Sequence, residues 1–314
     1  MESKPQIIFL GTPEFAIPAL EKLLQNNFTP TLVITQPDKP IGRHQQLAMP
    51  PVKELALANN LEVAQPRDKK ELKEVFQKYK PDICILVAYG MIIPNSIINQ
   101  PKYGFLNLHP SLLPKYRGPS PMQTAILNGD KKTGVSIIKL NNEVDAGDIV
   151  FQKEYKLNQT ETADILHDDL AKMGAEMIVE ILPDYLENNI EVQRQNHELA
   201  TFTNIIKRSD GRIDWLKSAI QIERQFRAFF PWPGIFSQID KKRFKIVNLG
   251  LLKGGFEPDL TPGQVFLTPN QGLGIKCGKG AVELKEVQIE GKNKTTGKDF
   301  INGQKDVLGK ILDS

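Results

Sequence analysis

An α/β half followed by a small antiparallel barrel is the fold class the sequence predicts, and two patterns predict it. The first half alternates short β-branched runs with amphipathic stretches, the signature of a parallel sheet covered by helices. From Gly211 onward short runs are separated by Gly, Pro and Asn, as in VNLGLLKGGFEPDLTPGQVFLTPNQGLGIKCGKGAVELKEVQIEG, the spacing of a compact antiparallel β-structure.

Taken in order, QIIFL (6–10), TLVIT (31–35), ICILVA (83–88) and FLNLH (105–109) are the expected strands, with helices over Pro51–Asn60 and Lys69–Tyr79 between them. A long helical pattern runs from about Thr160 to Asn188, with an interruption expected at Pro183 because proline removes a helix N–H and crowds the preceding turn. Gln193–Arg212 is polar and without period, so the chain is expected to divide into a catalytic domain over 1–192, a linker over 193–212 and a second domain over 213–314.

With 314 residues, 40% hydrophobic and 25% charged, the chain has the composition of a soluble globular protein with room for two domains. Its longest apolar run, Ile83–Ala88, falls far short of the roughly 20 residues of a membrane helix. Met1–Gln6 has no apolar core of a secretion signal, so a cytoplasmic protein without a membrane partner is expected. The two cysteines, Cys84 and Cys277, are too few and too far apart for a metal cluster or a disulfide framework, and are read as packing residues. No metal is expected. Charge is uneven: residues 1–206 hold 21 Lys and Arg against 25 Asp and Glu, and residues 207–314 hold 19 against 12. A basic C-terminal module suits a polyanion such as nucleic acid, or is simply a solvated lysine-rich surface.

Residues 105–121, FLNLHPSLLPKYRGPSP, concentrate the polar chemistry. Side chains alternate along a strand, so Asn107 and His109 share a face. An amide and an imidazole aimed at one point make an oxyanion-stabilising pair, and NNEVDAGDIV supplies a candidate carboxylate in Asp145. Together they point to group transfer to an amine. Gly11-Thr12-Pro13-Glu14-Phe15 follows the first strand, with Thr12 placed as a helix cap and Pro13 at the first helical position. It reads as a capped turn or as a substrate-lining loop. A nicotinamide or flavin enzyme is disfavoured, because the GxGxxG fingerprint is absent.

The string NLHPSLLPKYRG, with GTPEF before it and EVDAGDI after it, resembles the folate-dependent formyltransferases, which use 10-formyltetrahydrofolate as one-carbon donor. QPDKPIGRHQQL followed by PVKELA (36–56), LATFTNIIKRSDGRIDW (199–215) with RAFFPWPG (227–234), and TTGKDFINGQ (295–304) narrow the resemblance to members acting on methionyl-initiator tRNA. It covers essentially the whole chain. It implies a Rossmann-like formyltransferase domain, an oligonucleotide-binding (OB-like) barrel after it, and a monomer. It also implies catalysis by Asn107, His109 and Asp145, the amide and the protonated ring serving the oxygen of a tetrahedral intermediate while Asp145 holds the ring charged and helps move protons. Folate is expected at Ala88, Tyr89, Gly90 and Met91, with Ser111, Leu112, Leu113, Pro114 and Val144. The tRNA is expected at Lys39 and Arg43 of an exposed, adaptable loop, at Lys207 and Arg208, and at Lys241, Lys242 and Arg243, with Lys245, Lys292, Lys294 and Lys298 as further candidates. His44, Gln45 and Gln46 stand where family members carry glycine and basic residues, so this loop is less cationic than usual. Arg117 is expected in an ion pair, and the aromatics of RAFFPWPG as core packing. The alternative acceptor is a small amine, glycinamide ribonucleotide or an amino sugar, which the catalytic half alone does not separate.

Overall fold

Strands form where β-branched residues run together. β1 (Ile7–Gly11) leads to α1 (Ile17–Gln25); β2 (Leu32–Ile34) is followed by a hairpin of β3 (Lys39–Ile41) and β4 (Gln46–Ala48), then α2 (Pro51–Ala58), β5 (Val63–Ala64), α3 (Lys69–Tyr79), β6 (Ile83–Val87), α4 (Asn95–Ile98) and β7 (Phe105–His109). After α5 (Pro121–Asn128) come β8 (Lys132–Lys139), β9 (Asp148–Lys156) and α6 (Ala163–Leu186). This computed structural model describes residues 5–313 apart from 43, 44, 256 and 258. The chain folds as two compact units, Met1–Pro121, Lys132–Lys156 and Leu166–Thr203 in the first, and Met122–Lys131, Leu157–Ile165 and Asn204–Ser314 in the second.

The first unit carries a seven-stranded sheet ordered β5-β2-β1-β6-β7-β8-β9. The five strands from β5 to β7 pair in parallel, and β1, β2 and β7 are buried along their whole length. A strand covered on both faces has no polar side to alternate with, which is why these runs are continuously apolar in sequence. β8 and β9 extend the edge antiparallel. The expected parallel sheet is present over five strands, and the antiparallel edge is an addition to it: residues 140–147 are too short for a crossover helix and can join β8 and β9 only as a hairpin.

Helix ends follow local chemistry. Asp68 caps α3 by accepting from the N–H groups of Lys70 and Glu71 (2.8 and 2.9 Å), and Lys80 closes it in a left-handed conformation. α6 runs unbroken through Pro183, contrary to the expected interruption. The proline lies in the last turn, where only one backbone bond is forfeited before the helix stops at Leu186. Within the first unit α6 lies against the back of β7, and a Cβ on Gly174 would sit 2.3 Å from Leu108 Cδ1. Only glycine permits that approach, and alternation then turns Asn107 and His109 to the other face.

In the second unit α7 (Ala219–Ala228) starts at a capping box of Ser218 and Gln221. It is followed by β10 (Ile235–Ile239), β11 (Lys242–Leu252), β12 (Val265–Leu267), β13 (Leu273–Lys276), β14 (Ala281–Ile289), β15 (Thr295–Thr296) and α8 (Gly297–Gly303). The strands form one antiparallel sheet, β10-β11-β14-β13-β12 with β15 on β14. A register irregularity between Ile246 and Leu249 bends β11. The chain end bridges the two edges: Asp313 pairs with Gln238 on β10, and Ile311 with Gln264 just before β12. Beneath it the buried Trp215 indole donates to Ser237 Oγ (3.1 Å), whose hydroxyl donates to the Asp313 carbonyl (2.6 Å). The sheet curls into an OB-like half-barrel tied by its own C-terminal segment.

Cys84 and Cys277 are both buried and unpaired by disulfide. Burial pushes the Cys84 thiol well up and that of Cys277 to about 12, so neither forms the reactive thiolate near neutral pH. Both are expected to resist alkylation in the folded chain and to react promptly once guanidinium unfolds it. A native thiol titrating at the rate of free cysteine would contradict this. Among the described residues no helix is long and apolar enough to cross a membrane.

Candidate active site

The sheet order places the site. The chain builds from β1 toward β2 and β5, then returns to add β6 and β7 on the other side, so the order reverses between β1 and β6. In open α/β sheets ligands bind outside the carboxyl ends of the strands at such a switch point. Gly11 ends β1 beside Val87 of β6. Thr12 does not cap a helix, contrary to expectation: the short 3-10 turn Glu14–Ala16 begins at Pro13 without a side-chain cap. Its hydroxyl instead donates to the Tyr89 carbonyl (2.8 Å) and accepts from the Gln36 N–H (3.3 Å), tying together the chain just beyond β1, β2 and β6.

Beyond β6, Ala88 and Gly90 take left-handed backbone conformations, φ 49° and 88°, and both are exposed. Between them Tyr89 is 1% exposed. Its hydroxyl is buried without a hydrogen-bond partner among the described residues, and burial pushes its pKa up. The buried ring anchors the turn while the neighbouring main chain lies open: a Cβ on Gly90 would meet only Gln36 Cγ, at 3.8 Å. Met91 is half-buried.

One strand further, Asn107 and His109 are 7% and 5% exposed. No described residue hydrogen-bonds the Asn107 amide, which leaves its donor available to a ligand. His109 Nε2 lies 2.9 Å from the Tyr116 carbonyl. A carbonyl only accepts, so Nε2 carries a proton and donates it there. Nδ1 then faces Asp145 Oδ2 at 3.6 Å, an ion-pair separation rather than a direct hydrogen bond of about 2.7–3.2 Å. Asp145 sits in a left-handed turn, φ 50°, and its Oδ2 accepts the Gly118 N–H at 2.8 Å. Gly118 itself has φ 104°, and a Cβ there would press on Thr203 at 3.0 Å.

The intervening loop faces inward more than expected. The Ser111 N–H donates to the His109 carbonyl (2.9 Å), and its hydroxyl to the Lys115 carbonyl (2.7 Å). Leu113 gives its N–H to Ser136 Oγ (3.1 Å), and its carbonyl accepts from Gln152 Nε2 (3.0 Å). Ser111 and Leu113 thus stiffen the turn that carries His109. Leu112 and Pro114 are half-buried beside them. Val144, 61% exposed, stands on the loop before Asp145.

Sequence reasoning missed Gln195. Arg117, only 3% exposed, forms no ion pair among the described residues; its Nε and Nη2 donate to Gln195 Oε1 (3.1 and 2.8 Å). Gln195 Nε2 in turn donates to the carbonyls of Asp145 (2.8 Å) and Gly147 (2.7 Å). The start of the expected linker is therefore built into the first unit.

Lys39 lies exposed at the base of the β3–β4 hairpin, a two-stranded element where an adaptable loop was expected; Arg43 and His44 lie outside the described residues. The hairpin's root is held by Lys53, whose ammonium reaches both Asp38 oxygens at 2.8 Å and Gln65 Oε1 at 2.7 Å. That ammonium holds the Asp38 carboxyl below its ordinary range. In the second unit Lys207, Arg208, Lys241 and Lys242 are exposed, and Arg243 is half-buried with its guanidinium 3.7 Å from the Phe236 ring. Trp232 and Phe230 are 53% and 39% exposed. These two do not pack in the core as expected, whereas Phe229 of the same segment is buried, 5% exposed.

Two family models match the chain, formyl transferase over residues 5–182 and formyl transferase, C-terminal domain, over residues 205–305. The chain belongs to the formyl transferase family. Methionyl-tRNA formyltransferase of Caldicellulosiruptor saccharolyticus is 40% identical over 310 residues, 98% of this chain and 99% of that protein. The methionyl-tRNA formyltransferase of Acetivibrio thermocellus is 38% identical over 309 residues, again 98% and 99%. Among solved structures, an N-formyltransferase from Helicobacter canadensis in complex with folinic acid and dTDP-3-aminofucose has a TM-score of 0.69 at 22% identity, over 89% of this chain and 98% of that one. HypX from Aquifex aeolicus in complex with tetrahydrofolic acid has a TM-score of 0.62 at 19% identity, over 98% of this chain but 49% of that one, so this chain spans about half of HypX. At such identities the likeness is one of fold.

Proposed function

We propose that the chain transfers the formyl group of 10-formyltetrahydrofolate to the α-amine of methionyl-initiator tRNA, acting as a single chain in the cytoplasm. One observation carries the reading: identities of 40% and 38% to methionyl-tRNA formyltransferases extend over 98% of the chain, both units included. The crevice also fits a folate. The left-handed backbone at Ala88 and Gly90 presents open main-chain groups at the switch point, suited to the polar edge of a pterin, and Val144 offers an apolar cover.

Bound there, 10-formyltetrahydrofolate supplies an activated formyl carbon, which bonds to the amine nitrogen as its bond to N10 breaks. The residues serve the charge that develops. The unpartnered Asn107 amide donates to the formyl oxygen. His109, fixed through Nε2–H to the Tyr116 carbonyl, presents Nδ1 beside it, with the Asp145 carboxylate 3.6 Å away to complement charge developing there. Asp145 Oδ1, hydrogen-bonded by no described residue, is left to accept the proton that the attacking amine loses, directly or through water, and a proton returns to N10.

The deciding experiment offers the purified chain 10-formyltetrahydrofolate with charged initiator tRNA beside glycinamide ribonucleotide and a nucleotide-linked amino sugar. Formylmethionyl-tRNA is the expected product. Formylation of a small amine with the tRNA left untouched would overturn the reading.

Binding of the tRNA is assigned to the second unit through Lys207, Arg208, Lys241 and Lys242. With four such phosphate contacts, a fourfold rise in salt is expected to lower affinity roughly 50- to 150-fold. A filter-binding titration that is flat across that range removes the phosphate-contact assignment.

A further inference from the structure

The second unit's sheet carries a cleft on its outward face. Ile235, Ser237 and Ile239 of β10, Phe244 and Ile246 of β11, and Val287 and Ile289 of β14 point into the core, while the residues between them are half-exposed. Register places Phe236 opposite Lys245 and Lys245 opposite Gln288, one row across three strands on that outer face. The turn bearing Trp232 and the segment bearing Arg208 flank this row. Together they enclose about 390 Å³, lined also by Arg243 and Glu290, a size within the roughly 300–1,000 Å³ of ligand pockets.

We propose that this cleft takes one unpaired nucleotide of an RNA, its base stacked on Trp232 and its phosphate held by Arg208 and Lys245. The proposal rests on the reading above for the identity of the RNA, but not on the chemistry of formyl transfer. Three features point to a nucleotide. Trp232 is 53% exposed, an apolar ring left in water beside three cations and a single carboxylate. Neither Arg208 nor Lys245 has an ion-pair partner among the described residues, so both charges are available. Arg243 is engaged differently: its guanidinium rests 3.7 Å over the Phe236 ring, which makes it a wall of the cleft, and its backbone N–H donates to Glu290 Oε2 at 3.3 Å. Gln288 also lines the cleft; its Nε2 donates to the Lys292 carbonyl at 2.9 Å, and its Oε1 is left to accept from a polar base edge. A π-face, a polar edge and an anion in one ligand of this size describe a nucleotide.

The chain has two tryptophans, of which Trp215 is buried at 1% exposure, so quenching by an added ligand reports on Trp232. The test titrates the full chain with fluorescein-labelled hexa-adenylate, reading anisotropy, and with the unlabelled oligomer, reading tryptophan emission; inorganic tripolyphosphate is the base-free control. Saturable quenching by the oligomer but not by tripolyphosphate is expected. Trp232→Ala is expected to weaken binding about tenfold and Trp232→Tyr to recover most of it, as stacking predicts. Equal affinity in parent and Trp232→Ala, or equal quenching by tripolyphosphate, overturns the proposal and leaves only charge attraction. Formylation of charged tRNA is assayed on the same preparations. A chain that formylates but fails the stacking test loses the cleft alone, and one that stacks but does not formylate loses the proposed reaction alone.

Discussion

Asn107→Ala and His109→Ala are each expected to lower kcat/KM for formyl transfer about a hundred- to a thousandfold, the usual consequence of losing one donor to a developing oxyanion. Their effects on stability should differ. No described residue hydrogen-bonds the Asn107 amide, so its removal deletes no internal bond, and the melting temperature should hardly move. His109→Ala also loses the donation to the Tyr116 carbonyl, worth about 1 kcal/mol, and should melt slightly lower. Asp145→Asn separates charge from shape. The amide oxygen still accepts the Gly118 N–H, but the negative charge 3.6 Å from the imidazole and the acceptor for the amine's proton are lost. Turnover should fall steeply with the fold intact. Steady-state kinetics beside thermal melts check all three, and near-parental kcat/KM in Asn107→Ala or His109→Ala would remove those side chains from the reaction.

What the sequence could convey depended on how local each feature is. β7 matches its expected span because a strand buried on both faces needs an unbroken apolar run, and Asn107 and His109 interrupt that run at a spacing that means one shared face. α3 is legible to the residue because Asp68 caps it. β8 and β9 were not read as strands. β9 is half-exposed and charge-rich, and an edge strand needs only one apolar face, which its exposed end lacks. Thr12 had the residue type and place of a cap, but a carbonyl 77 positions away claims its hydroxyl. Trp232 is apolar enough for a core residue, yet it stands 53% exposed, which residue type alone does not reveal. Gln195 gave no signal at all: a polar residue in a polar stretch, its partner Arg117 lies 78 residues earlier.

That silent residue should carry the largest structural effect. Gln195 is 6% exposed; it accepts twice from a guanidinium that is itself buried, and donates twice to the turn that aims Asp145. Gln195→Leu fills the same space but supplies none of the four bonds, and a buried cation stripped of its acceptor costs about 3 kcal/mol, a fall in melting temperature of about 6–12 °C for a unit of this size. Turnover should fall as well, because a misplacement of about 1 Å at a reacting group can cost a hundredfold. Gln195→Glu distinguishes anchoring from aiming. Its carboxylate pairs with Arg117 and should restore much of the stability, yet it cannot donate to the Asp145 and Gly147 carbonyls, so activity should stay low. If Gln195→Leu melts and turns over like the parent, the Arg117–Gln195 link does not hold this turn in place; if Gln195→Glu recovers both properties, it anchors the turn without aiming Asp145.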